Sequence, residues 1–124
     1  MKDLVKIYKV LSDESRLRVL NLLLERECCV CEVMQALDIS ESKASRILSA
    51  LNDAGILKLQ KDGLWSLYSI EWDGMETNLK EIMQATTRMF KDNKTMKADR
   101  ERLRKVKRVG PGCIKKTYKI KVTA

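Results

Sequence analysis

Three cysteines within four residues, Cys28, Cys29 and Cys31, are the strongest chemical signal in this 124-residue sequence. Clustered thiols serve as ligands for soft ions, as a reversible redox switch, or singly as small core residues. Charged Glu27 and Glu32 flank the cluster, which argues against simple burial and for a ligand site. Three thiolates select arsenic(III), antimony(III), cadmium, lead, mercury or copper(I). Structural zinc prefers four Cys or His ligands, and the chain has no histidine and only one further cysteine, Cys113. Trivalent arsenic takes three thiolates and no more, so the count fits it best, with antimony second. Cys113 is a candidate extra ligand. Without histidine a catalytic cysteine lacks its usual base, and no Gly-rich phosphate loop is present. No enzyme and no organic cofactor are expected.

Spacing constrains how the thiols meet. A regular helix turns about 100° per residue. Cys28 and Cys31 then share a face, and Cys29 points away from Cys31. Gathering all three on one ion needs a non-helical first turn. The reading is therefore a turn that is helical without ligand and unwinds with it.

The elements that carry this cluster follow from periodicity. Leu4, Val5, Tyr8 and Leu11 form a helical stripe. Ser12 reads as the N-cap of a second helix, from about Asp13 to Arg26. Its apolar set, Leu17, Val19, Leu20, Leu22, Leu23 and Leu24, is wide enough for a central helix. A short third helix follows the cysteines, with Val33, Met34 and Leu37 facing inward. Ser40 caps a fourth, which buries Ala44, Ile47, Leu48 and Leu51 and stops at Gly55. Two strand-like runs, Ile56–Leu59 and Leu67–Ile70, flank Lys61-Asp62-Gly63, a hairpin signal. Two helices about a tight turn, then a hairpin, read as a winged helix-turn-helix: mainly α with a β-hairpin wing. The fourth helix presents Ser40, Ser42, Lys43, Ser45, Arg46 and Ser49, and the wing presents Lys58 and Lys61. Arg46 can read guanine in the major groove, and the others suit phosphates or bases of double-stranded DNA. Leu79, Ile82, Met83, Thr86, Met89 and Phe90 recur at helical spacing and, with Leu4 and Tyr8, are expected to form a homodimer interface. A two-fold dimer implies an inverted-repeat operator.

Charge is unevenly placed. Residues 1–90 hold 12 Lys and Arg against 14 Asp and Glu, and residues 91–124 hold 13 against 3, so the net +8 belongs to the tail. The domain is read as residues 1–90 and the rest as a basic extension, possible helix up to Val109 and an edge strand at Tyr118, Ile120 and Val122. Deleting that extension is expected to flatten the salt dependence of DNA binding. No apolar run reaches the roughly eighteen residues of a membrane span. The N-terminus lacks the apolar core of a signal peptide, so a cytoplasmic location with reduced thiols is expected.

Over residues 4–90 the sequence resembles the ArsR/SmtB family of metal-sensing repressors. Leu11-Ser12-Asp13-Glu14-Ser15-Arg16-Leu17-Arg18-Val19-Leu20 is similar to the family's opening segment, with Glu14 in place of its Pro. Ile39-Ser40-Glu41-Ser42-Lys43-Ala44-Ser45-Arg46-Ile47-Leu48 resembles its recognition helix, with Ile47 in place of its His. Ala54-Gly55-Ile56-Leu57 resembles the approach to its wing. The arsenic-sensing branch carries Cys-Val-Cys here, matched by Cys29-Val30-Cys31; its third cysteine is Met34 in this chain, and Cys28 is extra. The resemblance implies a homodimeric DNA-binding repressor released by arsenic(III) or antimony(III). The nearest alternatives are a cadmium or lead sensor, a thiol-redox-switched regulator, and a nucleic-acid binder working through its tail alone.

Overall fold

A computed structural model describes residues 2–108. Cys113 and the expected C-terminal strand lie outside them. The order is α1 Lys2–Leu11, α2 Glu14–Glu25, α3 Val30–Leu37, α4 Glu41–Asp53, β1 Leu57–Asp62, β2 Trp65–Ile70, α5 Thr77–Arg88 and α6 Lys94–Lys105. Helices around one antiparallel hairpin make the winged helix-turn-helix that the periodicity predicts. No described helix is long and apolar enough to cross a membrane.

Local chemistry sets the boundaries. Ser12 does not cap α2; its hydroxyl donates to the Lys9 carbonyl at 2.8 Å and closes α1. Asp13 takes the cap, its carboxylate accepting the Arg16 N–H at 3.0 Å, where an anion also suits the helix dipole. Ser40 caps α4 as expected, its Oγ accepting the Lys43 N–H at 3.1 Å. Asp38 adopts a left-handed backbone (φ 53°) between α3 and α4, which turns the chain sharply enough to stack the two helices. The hairpin closes one residue later than the sequence suggests: Asp62 pairs with Trp65, leaving Gly63 and Leu64 as the loop. Gly63 has φ +64°, a conformation that favours glycine.

The core is built from Val19, Leu20 and Leu22 of α2, Val33 and Met34 of α3, Leu48 and Leu51 of α4, and Ile56, all nearly inaccessible. Each such side chain stabilises the fold by about 1.5–3 kcal/mol. Leu24, expected inside, is at the surface, and Asn21 is buried instead.

Packing also runs past Phe90. α6 lies against α2 and α3 and buries Met96, Asp99 and Leu103. Its docking is largely polar. Arg18 donates from Nε and Nη2 to the two Asp99 oxygens at 2.7 and 2.9 Å, and Arg102 also pairs with Asp99. Asn21 donates to the Met96 carbonyl at 3.0 Å and accepts from Arg100 at 2.6 Å. Residues 94–105 are therefore part of the folded body, not a solvated arm. The expected interface set divides. Leu79, Met83 and Phe90 fill this chain's own core. Ile82 and Thr86 are half-buried. Leu4, Tyr8 and Met89 stay exposed.

Candidate effector site and nucleic-acid interface

The cysteines sit where the α2–α3 loop becomes α3, and the first turn is already non-helical. Cys28 is extended and forms an antiparallel bridge with Tyr68 of β2: its N–H donates to the Tyr68 carbonyl at 3.0 Å, and the Tyr68 N–H donates back at 2.8 Å. Cys29 is the extended N-cap of α3, and its N–H donates to the Glu32 carboxylate at 2.9 Å. The helical turn expected through Cys28 and Cys29 is absent, because the β2 bridge and the Glu32 cap hold the backbone extended. As a result the Cys29 and Cys31 sulfurs lie 2.7 Å apart without any unwinding.

Cys28 does not join them. Its thiol donates to the Arg26 carbonyl at 3.5 Å and packs in the main core, whereas Cys29 and Cys31 form a separate cluster with Leu67 and Trp65. Among the described residues, no group of three Cys, Asp or Glu side chains is placed to hold a metal ion. The Cys31 sulfur is disulfide-bonded in this structure; once reduced, it and Cys29 beside it make two soft donors for a thiophilic ligand, and no third donor joins them among the described residues.

All three cysteines are buried, contrary to the expectation from their charged neighbours. Glu32 is itself 2% exposed. Arg26 meets its charge at 2.6 Å and Arg108 at 2.9 Å. Burial alone would raise the Glu32 pKa; the Cys29 N–H and the two guanidinium groups outweigh it and hold the carboxyl below its ordinary value. Arg108 also lies 4.7 Å from the centre of the Trp65 ring, close enough for a cation–π contact. Burial, with a smaller push from the Glu32 charge, raises the Cys28 thiol to about 12. Burial likewise raises Cys29.

The second surface is built by α4 and the hairpin. Ala44, Ile47, Leu48 and Leu51 anchor α4 inward, leaving Ser42, Lys43, Arg46 and Ser49 exposed and Ser45 half-buried. Ser40 is exposed, but its oxygen is committed to the cap. Lys58 is half-buried and Lys61 exposed near the hairpin tip. Lys43 and Arg46 share a cleft with Ser15 and Arg16 at the start of α2. Those two residues were not legible as surface partners of α4, because their proximity depends on how α2 crosses it.

Residues 13–58 match the family described as bacterial regulatory protein, arsR family. The arsenical resistance operon repressor of Escherichia coli is 42% identical over 67 residues, covering 53% of this chain and 57% of that protein. A cadmium resistance transcriptional regulatory protein CadC homolog of Staphylococcus aureus is 39% identical over 70 residues, 56% of this chain and 58% of that one. The chain thus spans little more than half the length of these two relatives. It spans more of the arsenic resistance transcriptional regulator ArsR2 of Pseudomonas putida: 36% identity over 93 residues, 70% of this chain and 79% of that protein. Among solved structures, the homodimeric winged helix-turn-helix DNA-binding domain Mb0332 of Mycobacterium bovis superposes with a TM-score of 0.58 at 25% identity, covering 70% of this chain and 80% of that one.

Proposed function

This chain belongs to the arsR family of bacterial regulatory proteins, and from that premise we propose that it is a homodimeric DNA-binding repressor whose hold on its operator is loosened when arsenic(III), or antimony(III), takes the cysteines at the head of α3. The observation that carries the proposal is the Cys29–Cys31 sulfur pair, 2.7 Å apart, on the helix that leads directly into α4. In this reading Arg46 and Lys43 contact DNA from α4, Lys61 from the wing, and the protein works in the cytoplasm, where thiols stay reduced.

In this reading Cys28 supplies the third donor by leaving the Tyr68 bridge. Losing those two backbone bonds detaches the loop before α3 from the wing strand, which gives ligand binding a route to both DNA-contacting parts. Thiol chemistry favours arsenic over a divalent cation. Each thiol that passes its sulfur to neutral arsenous acid gives its proton to a departing hydroxide; three thiols release three waters and no net proton. A divalent cation must instead displace protons from thiols whose burial disfavours the thiolate. The Staphylococcus relative keeps cadmium as the second reading.

Native mass spectrometry of the reduced chain tests the assignment, with arsenite and cadmium in competition. The expected product is a dimer with one arsenic per chain and three hydrogens lost for each arsenic gained. Cadmium uptake in preference to arsenic would replace the inducer and leave the DNA-binding reading standing.

A further inference from the structure

Residues 1–90 carry more acids than bases, 14 against 12, yet three cations line one cleft between α2 and α4. Arg16 reaches it from the start of α2, and Lys43 and Arg46 reach it from α4, around a volume of about 470 Å³. The one acid in the lining, Asp13, is engaged with the Arg16 N–H at 3.0 Å. Three cations against that carboxylate leave a formal charge of +2. Elsewhere the arginines are committed: Arg18, Arg26, Arg100, Arg102, Arg104 and Arg108 each pair with Asp or Glu. Among the described residues Arg16, Lys43 and Arg46 make no ion pair. Arg16 is also held in place. Its Nη1 donates to the Lys9 carbonyl at 3.2 Å, which leaves Nε and Nη2 for a ligand. Ser15 is half-buried beside it. Like charges gathered without a counter-charge make a positive potential that attracts an anion. The cleft adjoins the α4 face that the proposed function sets against DNA, and the anion a duplex presents beside a reading helix is its phosphodiester.

We propose that this cleft seats one backbone phosphate of the duplex: Arg16 and Lys43 hold its oxygens from two helices, Ser15 donates a further hydrogen bond, and Arg46 is left for the base edge. A guanidinium takes two phosphate oxygens through parallel N–H bonds, and an ammonium takes one as a point charge. The seat reads no sequence. Because it spans α2 and α4, it fixes the angle at which α4 enters the groove, which is what phosphate contacts do in such complexes. The inference rests on the DNA-binding part of the proposed function and is independent of the inducer.

The test measures binding of the full chain to a duplex from its own promoter and to a scrambled duplex, by fluorescence anisotropy across a series of salt concentrations. Arg16→Gln is expected to weaken both duplexes by the same factor, about tenfold for one charge-assisted contact. It should also reduce the slope of log affinity against log salt by about 0.9, the value for one phosphate. Arg16→Lys keeps the charge and should keep the slope. Residues that share one ligand do not act additively, so Arg16→Gln with Lys43→Gln should lose less than the product of the two single losses. Arg88→Gln is the control: Arg88 is exposed at the end of α5, outside the cleft, and its loss should leave the slope unchanged. An Arg16→Gln chain whose affinity falls at an unchanged slope would mean a structural role only and overturn the seat. Losses that multiply would place Arg16 and Lys43 on different phosphates and overturn it too. If Arg16→Gln does not fold, Ser15→Glu decides: an acid suits the first turn of a helix and repels a phosphate, so binding to both duplexes should weaken, and unchanged binding overturns the seat. If the wild-type chain binds no duplex, the repressor reading falls and the seat with it. If it binds and the cleft variants behave like Arg88→Gln, the seat alone falls.

Discussion

Replacing Asp99 with asparagine isolates the interaction that makes α6 part of the domain. Asp99 is fully buried and accepts two hydrogen bonds from Arg18, at 2.7 and 2.9 Å, and one from Arg102. Asparagine keeps the volume and one acceptor oxygen, but turns an NH2 group toward guanidinium donors. A hydrogen bond to a charged group is worth about 1.5–3 kcal/mol, and breaking a buried pair from one side costs about 3–5 kcal/mol. The Arg18 and Arg102 side chains are 26% and 50% exposed, so water takes up part of their loss. A net destabilisation of about 2–4 kcal/mol follows from those ranges. For a domain near this size each kcal/mol moves the melting temperature by about 4–8 °C, so a fall on the order of 10–30 °C is expected. Urea unfolding followed by far-UV circular dichroism, at fixed protein concentration because any self-association would contribute, measures the free-energy change. A change below about 0.5 kcal/mol, the ordinary range for a surface substitution, would refute the docking of α6 described here.

Truncation after Phe90 removes Met96, Asp99 and Leu103 from the core, so it is expected to abolish cooperative unfolding rather than merely flatten the salt dependence of DNA binding; a native-like melt of residues 1–90 would contradict this. Cys28 predicts an alkaline limit. Its folded pKa, about 12, lies above the ordinary 9.0, so its stabilisation is complete below pH 9 and is lost as pH rises toward 12. At 1.36 kcal/mol per unit the loss is at most about 4 kcal/mol. Cys28→Ala should lack that component, and parallel losses in both chains across pH 9–12 would show the attribution to be wrong. Arg46→Gln is expected to cost about 1–3 kcal/mol in cognate binding with little effect on stability. Lys43→Gln should weaken cognate and scrambled duplexes alike in fluorescence anisotropy.

Much of the fold was legible because its signals are local. The α1 stripe, the Ser40 cap and the inward face of α4 each depend on residues within a few positions of one another. The α2 start slipped by one residue because Ser12 and Asp13 are both good caps, and only the bond from Ser12 back to Lys9 separates them. α6 was not legible as core. Its Lys- and Arg-rich sequence reads as a solvated arm, and its partners Arg18 and Asn21 are 81 and 79 residues away from Asp99 and Arg100. One signal was present: Met96, Asp99 and Leu103 fall on a single helical face, with the acid in the middle of a basic helix. The same distance hid the setting of the thiols. Glu32 looked like a reason for the cysteines to be exposed, yet Arg108, 76 residues on, allows that carboxylate to be buried beside them.

The most direct test of the account is fluorescence anisotropy of a labelled duplex from the promoter that precedes the chain's own gene, at fixed salt and under reducing conditions, with arsenite titrated in. The account predicts that arsenite weakens binding of the wild-type chain by about tenfold or more, within the usual range of allosteric coupling. A chain with Cys29→Ser and Cys31→Ser should bind the duplex normally and ignore arsenite. An affinity that arsenite leaves unchanged in the wild-type chain, or lowers equally in the doubly substituted one, would contradict it.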